Sequence, residues 1–203
     1  MKNRWIVFAA LLSLFGCRTF VAPFAAMRPD YDEVPTEPLR AVALDIEKAV
    51  RAGDRTPDIE DRGGIVVNTD EVLQAIRTRA ARAELVNRFR ETGHACEHRD
   101  GLLWIIRSAE YKKSGNRRKR DLDARLVIWE NEDRRAIYTG ILKASGLPRT
   151  ARGAVQEIFH GARVQCLPPG QKYENEAGDV VRKTSPANPM SGVPNEPVGN
   201  DAI

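Results

Sequence analysis

Cysteine and histidine are scarce in this chain, three of each among 203 residues. Any metal site or disulfide must therefore draw on very few side chains. Long apolar runs are missing too. The run that stands out, Trp5 to Phe15, is eleven residues long, whereas a helix needs roughly 20 to cross about 30 Å of hydrocarbon. A membrane-spanning helix is excluded there. No Gly-rich loop is followed by Lys-Ser or Lys-Thr, so nucleotide hydrolysis has no support. The chain has no alternating strand–helix pattern of the kind nucleotide folds show, and no internal repeat of convincing period. An excess of one charge is likewise lacking, with 32 Lys+Arg against 28 Asp+Glu. Without residues 1–16, which hold Lys2 and Arg4, the balance is 30 to 28, a net of +2. Nothing in that balance calls for nucleic acid as a partner.

What is present begins at the first residues. Lys2 and Arg4 give a basic start, Trp5 to Phe15 an apolar segment, and Leu14-Phe15-Gly16-Cys17 ends it. This is the pattern of a cleaved secretory signal. Its end resembles the lipobox of bacterial lipoproteins, with Phe15 bulkier than that motif's usual occupant. The resemblance implies that the Cys17 sulfur receives a diacylglycerol, that the chain is cut before Cys17, and that the new amino group is acylated. One acyl chain anchors only marginally and two hold stably, so such a tether is durable. The alternative is an ordinary signal peptide with a coincidental cysteine. Arg18, not aspartate, follows the cysteine. By analogy with enterobacterial sorting, that points to a periplasm-facing anchor in the outer membrane rather than the inner.

The organisation expected is a lipoprotein signal peptide over 1–16, a lipidated tether over 17–38, a helical extension over 39–93, a second module over 94–183 and a disordered tail over 184–203. Pro23, Pro29, Pro35 and Pro38 mark the tether, and the tail has too little apolar surface to offset chain entropy. Between them the chain reads as a small, mainly α domain with a minor β element. Leu39, Val42, Ala43, Ile46, Ala49 and Val50 recur at helical spacing, with Thr36 as N-cap and Gly53 as stop. Asn68 and Glu71 have capping-box spacing and open a helix through Val72, Leu73, Ile76, Ala80, Ala83 and Phe89 to Gly93. A third helix is expected from about Asp121 to Ser145, closed by Gly146 and Pro148. Thr150 caps a fourth, with Val155, Ile158, Phe159 and Ala162 facing inward. "GLLWIIR" reads as a short strand, and "QKYENEAGDVVRK" as a C-terminal hairpin turning near Ala177-Gly178.

Four groups of residues are candidates for function. In "HACEH", His94, Cys96 and His98 alternate, so an extended backbone sets them on one face, where a fourth ligand such as Cys166 would complete a zinc site. The gaps are shorter than structural zinc sites use. The same three residues define the alternative function, a thiol- or zinc-dependent periplasmic enzyme, although no group that would orient a base is visible. Once Cys17 is lipidated, Cys96 and Cys166 are the only thiols left, and an oxidising periplasm favours a disulfide between them over free thiols. That bridge closes a loop of about 71 residues, for roughly 4 kcal/mol of chain entropy. "KKSGNRRKRD" gathers Lys112, Lys113, Arg117, Arg118, Lys119 and Arg120. Such a loop could hold anionic lipid head groups or an acidic partner. The blander reading, a solvated loop before a helix that starts with Asp121 and Asp123, is preferred. Finally, Asn131 and Arg134 or Arg135 lie near the apolar stripe of the third helix. A buried polar group there needs a partner, and a structural clasp to a neighbouring loop is the expected role.

The stretch from "LVIWENEDRRAIYTGILKASGLPR" to "GDVVRK" resembles the small periplasmic proteins of the YdbL-like family. The shared features are Asn131, Arg135 and Tyr138 at helical spacing, Ile141, the stop Gly146, and then Pro169, Gly170, Tyr173, Gly178 and Lys183. Upstream, Asp100-Gly101-Leu102-Leu103 resembles the family's Asp-Gly-aromatic-Leu element, with Leu102 in the aromatic's place. The likeness covers about residues 90–183. Val181 stands where a late tryptophan is common, and the helical extension has no counterpart. The resemblance implies no catalytic activity and no cofactor. It implies an accessory, chaperone-like role in the cell envelope beside a small lipoprotein or an AsmA-like phospholipid carrier.

Overall fold

The computed structural model describes residues 31–185; the signal segment, Cys17 and most of the tail lie outside the described residues. The fold is mainly α with a minor β element. Helix α1 is Thr36–Ala52, α2 is Asp70–Glu91, α3 is the short Ala109–Lys113, α4 is Arg117–Ala144 and α5 is Arg152–Cys166. Strands β1 (Ala95–Glu97), β2 (Leu103–Ile105), β3 (Lys172–Glu174) and β4 (Val180–Arg182) form one sheet in the order β2-β1-β3-β4. β1 is antiparallel to β2 and parallel to β3, with Cys96 opposite Trp104 on one side and Lys172 on the other. No described helix is long and apolar enough to cross a membrane.

The apolar stripes act as expected. Leu39, Val42, Ala43 and Ile46 of α1 pack with Val72 and Ile76 of α2, Ile141 of α4 and Phe159 of α5 in one core. Residues 39–93 and 94–183 thus share a single interior. A smaller apolar cluster, built on Val86, Phe89, Leu103, Tyr111 and Val127, lies under the β1–β2 hairpin. The helix stops also hold. Gly53 and Gly146 adopt φ of 71° and 67° after α1 and α4, where a residue without Cβ closes the last turn without strain.

Several starts and boundaries differ from expectation. Thr36 is the first residue of α1, not its cap, and its hydroxyl donates to the carbonyl of Val34. Thr69, not Asn68, caps α2 by accepting from the Val72 N–H. α5 starts through a 3₁₀ turn, Arg149–Ala151, rather than from a Thr150 cap. The basic run is no loop: α3 and the first turn of α4 take it up, and Asn116 caps α4 by accepting from the Lys119 N–H. The end of the expected tether is also folded, with Val34 buried and the Tyr31 hydroxyl donating to Glu157 at 2.8 Å. The single strand and the C-terminal hairpin prove to be parts of one sheet, because β1 joins them.

Candidate functional site

Between the two apolar clusters lies a layer of charge. In α2, Arg79 falls between Ile76 of the larger cluster and Val86 of the smaller; in α4, Glu130, Asn131 and Arg134 fall between Val127 and Ile137. Glu47 from α1, Glu97 from β1 and Arg163 from α5 complete the layer. Arg79 grips Glu47 with both terminal nitrogens at 2.9 Å and Glu130 with Nε at 2.9 Å. Arg134 donates to Glu97 at 2.6 and 3.1 Å and to Glu130 at 2.8 Å. Arg163 donates to Glu47 at 2.9 Å and pairs with Glu97 at 3.2 Å. Three carboxylates thus face three guanidiniums, all at most 5% exposed. At the rim, Arg90 donates to Glu97 at 2.8 Å, and Arg82 meets Asp133.

Burial alone would push these carboxyls up, but their partners win. Arg79 and then Arg134 hold Glu130 down at about 2. Arg134, Arg90 and Arg163 hold Glu97 well below the ordinary range, and Arg79 and Arg163 do the same for Glu47. The guanidinium of Arg79 is in turn raised against its own burial by Glu47 and Glu130. The network is closed off from solvent and binds four helices and β1 together. Its geometry suits a rigid frame rather than a reaction.

The expected clasp is present at Asn131. Its side-chain amide accepts from the Leu103 N–H at 2.8 Å and donates to the Leu103 carbonyl at 2.9 Å, closing α4 onto β2. Tyr138 acts alongside, donating to the Gly101 carbonyl at 2.6 Å while its oxygen accepts from Arg163 at 2.7 Å. Gly101 sits at φ 78°, and a Cβ there would stand 3.0 Å from the Tyr138 oxygen. The arginine of this motif needs correcting. Arg134 is the buried member, whereas Arg135 is exposed, because the stripe through Val127, Asn131 and Tyr138 runs through 134.

The expected Cys96–Cys166 disulfide is absent. Cys96 and Cys166 are both free thiols. Cys96 is fixed inside the sheet, while Cys166 ends α5 against α1. Burial, then Glu97 and Glu174, pushes the Cys96 thiol up to about 12, which disfavours the thiolate a nucleophile needs. His94, Cys96 and His98 do not assemble into a metal-holding group among the described residues. His94 packs on Tyr111, and His98 stacks on Trp104 with ring centres 3.8 Å apart. The two nitrogens of His98 lie 3.0 Å from Asp100 and 3.0 Å from Glu174.

Two solvent-facing features stand out among the described residues. A cleft of about 510 Å³ runs between α5 and the β3–β4 hairpin, lined by Tyr31, Arg99, Glu157, His160, Tyr173 and Glu174. Arg99 spans it, donating to Glu157 at 3.3 Å and to the Glu176 carbonyl at 2.8 Å. His160 Nε2 is buried in the wall without a hydrogen-bond partner among the described residues, and burial followed by Arg163 lowers its pKa. The second feature is the outer face of α4, where Leu122, Ile128 and Trp129 are more than half exposed. The basic residues of the run lie at the same end. Arg120 folds back to donate to the Lys112 carbonyl at 3.1 Å, and Lys119 pairs with Asp123 at 3.0 Å. Comparisons with protein-family models, curated proteins and solved structures found no match.

Proposed function

We propose that this chain is a lipid-anchored accessory protein of the bacterial cell envelope, held by acylated Cys17 and working by docking another envelope protein. The observation that carries this reading is the sequence Leu14-Phe15-Gly16-Cys17 behind a basic start and a short apolar segment. The fold supports it indirectly. Six buried charges are taken up in a closed frame, while Tyr31, Arg99 and Tyr173 line an open cleft, residue types enriched among interface hot spots. The resemblance of residues 90–183 to YdbL-like proteins makes a small lipoprotein or an AsmA-like phospholipid carrier the partner to test first. The test places a photo-crosslinking residue at Tyr173 in intact cells. Capture of one such envelope protein, lost when Cys17→Ser frees the chain from the membrane, is expected. Failure of the cleft to capture any envelope protein would overturn the docking role.

A further inference from the structure

The outer face of α4 combines two features that were separate in the sequence. Arg118, Leu122, Arg125 and Trp129 recur at intervals of four, three and four, and all four are exposed, so they share one face of the helix. Leu122 is 57% exposed and Trp129 53%; Ile128, beside them, is 54%. α2 runs antiparallel alongside. Thr78 and Arg82 both meet Asp133, and Arg82 donates to the Trp129 carbonyl at 3.2 Å. Leu85, 48% exposed, follows Arg82 by three residues on α2. Leu122, Ile128 and Trp129 thus expose three large apolar side chains within two turns of α4.

The exposed charge around these side chains is predominantly positive, with Lys112, Lys113, Arg117, Arg118, Lys119 and Arg125 set against Glu110, Asp121 and Glu132. Lys112, Arg117, Arg118 and Arg125 form no ion pair among the described residues, and the first turn of α4 carries no acid. Cations at a helix N-terminus add to the positive end of the helix dipole, so this arrangement costs stability. A fold that neutralises six buried charges in pairs leaves these repelling one another at the surface. An external anion relieves both costs.

We propose that this face of α4 lies on an anionic phospholipid surface, with Leu122, Ile128 and Trp129 in the headgroup region and Arg117, Arg118 and Arg125 on lipid phosphates. The partner is a bilayer rather than an acidic protein because cations and apolar side chains alternate along an exposed helix. That is the pattern of helices lying in the membrane interface, where tryptophan settles at headgroup depth. The inference deepens the reading of an envelope accessory protein by giving its domain a fixed seat on the membrane that holds its anchor.

The test uses the full chain with Trp5→Phe and Trp104→Phe, so that Trp129 is the only tryptophan, excited selectively at the red edge. It is combined with vesicles of brominated phosphatidylcholine, alone or mixed with phosphatidylglycerol. Trp129 should be quenched when phosphatidylglycerol is present. The quenching should fall by half or more in high salt and in the Arg117→Glu/Arg118→Glu/Arg125→Glu variant, whose far-ultraviolet circular dichroism serves as the fold check. Quenching equal with and without phosphatidylglycerol, or indifferent to salt, would overturn the proposal. So would a Trp129 that bromine never reaches but that an added acidic envelope protein shields. The anchor is judged apart. A chain with bare Cys17 that still shows phosphatidylglycerol-dependent quenching upholds this surface independently of the anchor. A lipidated chain whose Trp129 stays unquenched sinks this surface and leaves the anchor standing.

Discussion

Glu97 is the residue on which the buried charge layer turns, and Glu97→Gln is its sharpest test. The side chain is fully buried and accepts from Arg134 at 2.6 and 3.1 Å and from Arg90 at 2.8 Å, with Arg163 at 3.2 Å. Glutamine has the same shape but offers one acceptor oxygen, and its amino group must point at guanidinium donors. The layer's balance changes from three against three to two carboxylates against three guanidiniums. Breaking a buried pair by removing one partner costs about 3–5 kcal/mol, because the remaining charge stays buried and uncompensated. For a domain of this size, 1 kcal/mol moves Tm by about 2–4 °C, so the drop should be about 6–20 °C. The assay is thermal and urea unfolding followed by circular dichroism at neutral pH. Glu84→Gln is the control: Glu84 pairs with Arg88 on the surface at 2.7 Å and should lose at most about 0.5 kcal/mol. A loss below about 1 kcal/mol for Glu97→Gln would refute the reasoning.

Acid should weaken the fold through the same groups. Glu130 is held at about 2 against an ordinary 4.5. A depressed carboxyl lends stability above its unfolded pKa and loses it as pH falls towards the folded value. Glu130 alone should therefore forfeit roughly 3 kcal/mol between about pH 5 and pH 2, with Glu47 and Glu97 acting in the same direction. Urea midpoints that stay flat across that range would contradict it. Asn131→Ala should cost about 1–3 kcal/mol by leaving the Leu103 N–H and carbonyl unpaired, while Arg135→Ala, on the exposed side, should change unfolding by at most about 0.5 kcal/mol. In thiol labelling of the native chain with an aromatic disulfide reagent, half-exposed Cys166 should react and buried Cys96 should react only on unfolding. Equal rates would place Cys96 at the surface.

Much of the fold was legible because apolar spacing is a local signal. The stripe from Leu39 to Val50 is buried as read except for the partly exposed Ala49, the one from Val155 to Ala162 is buried throughout, and Gly53 and Gly146 stop their helices. Caps were less legible, since Asn68 and Thr69 both carry a suitable oxygen and only the backbone path chooses between them. β1 was missed because three residues, "ACE", are too few to show a period of two, and the alternating His94, Cys96 and His98 suggested ligands instead. The buried network was missed because Glu and Arg on helices are usually solvated. A signal did exist. Glu47 sits between Ala43, Ile46 and Val50, Arg79 between Ile76 and Ala80, and Arg163 beside Phe159 and Ala162. A charge inside an apolar stripe on helix after helix, with both signs represented, points to mutual burial. Asn131 was noticed on that ground, and its clasp on Leu103 followed. The surface of α4 was half legible: the basic run was plain, but its place on the helix that displays Trp129 required the fold.

The placement of the protein rests on one sulfur atom. Membranes from cells making the native chain should yield, on digestion and mass spectrometry, an N-terminal peptide that begins at Cys17 and carries diacylglycerol and an N-acyl chain. A peptide with residue 17 unmodified, or a soluble chain that retains residues 1–16, would contradict the account of an anchored envelope protein.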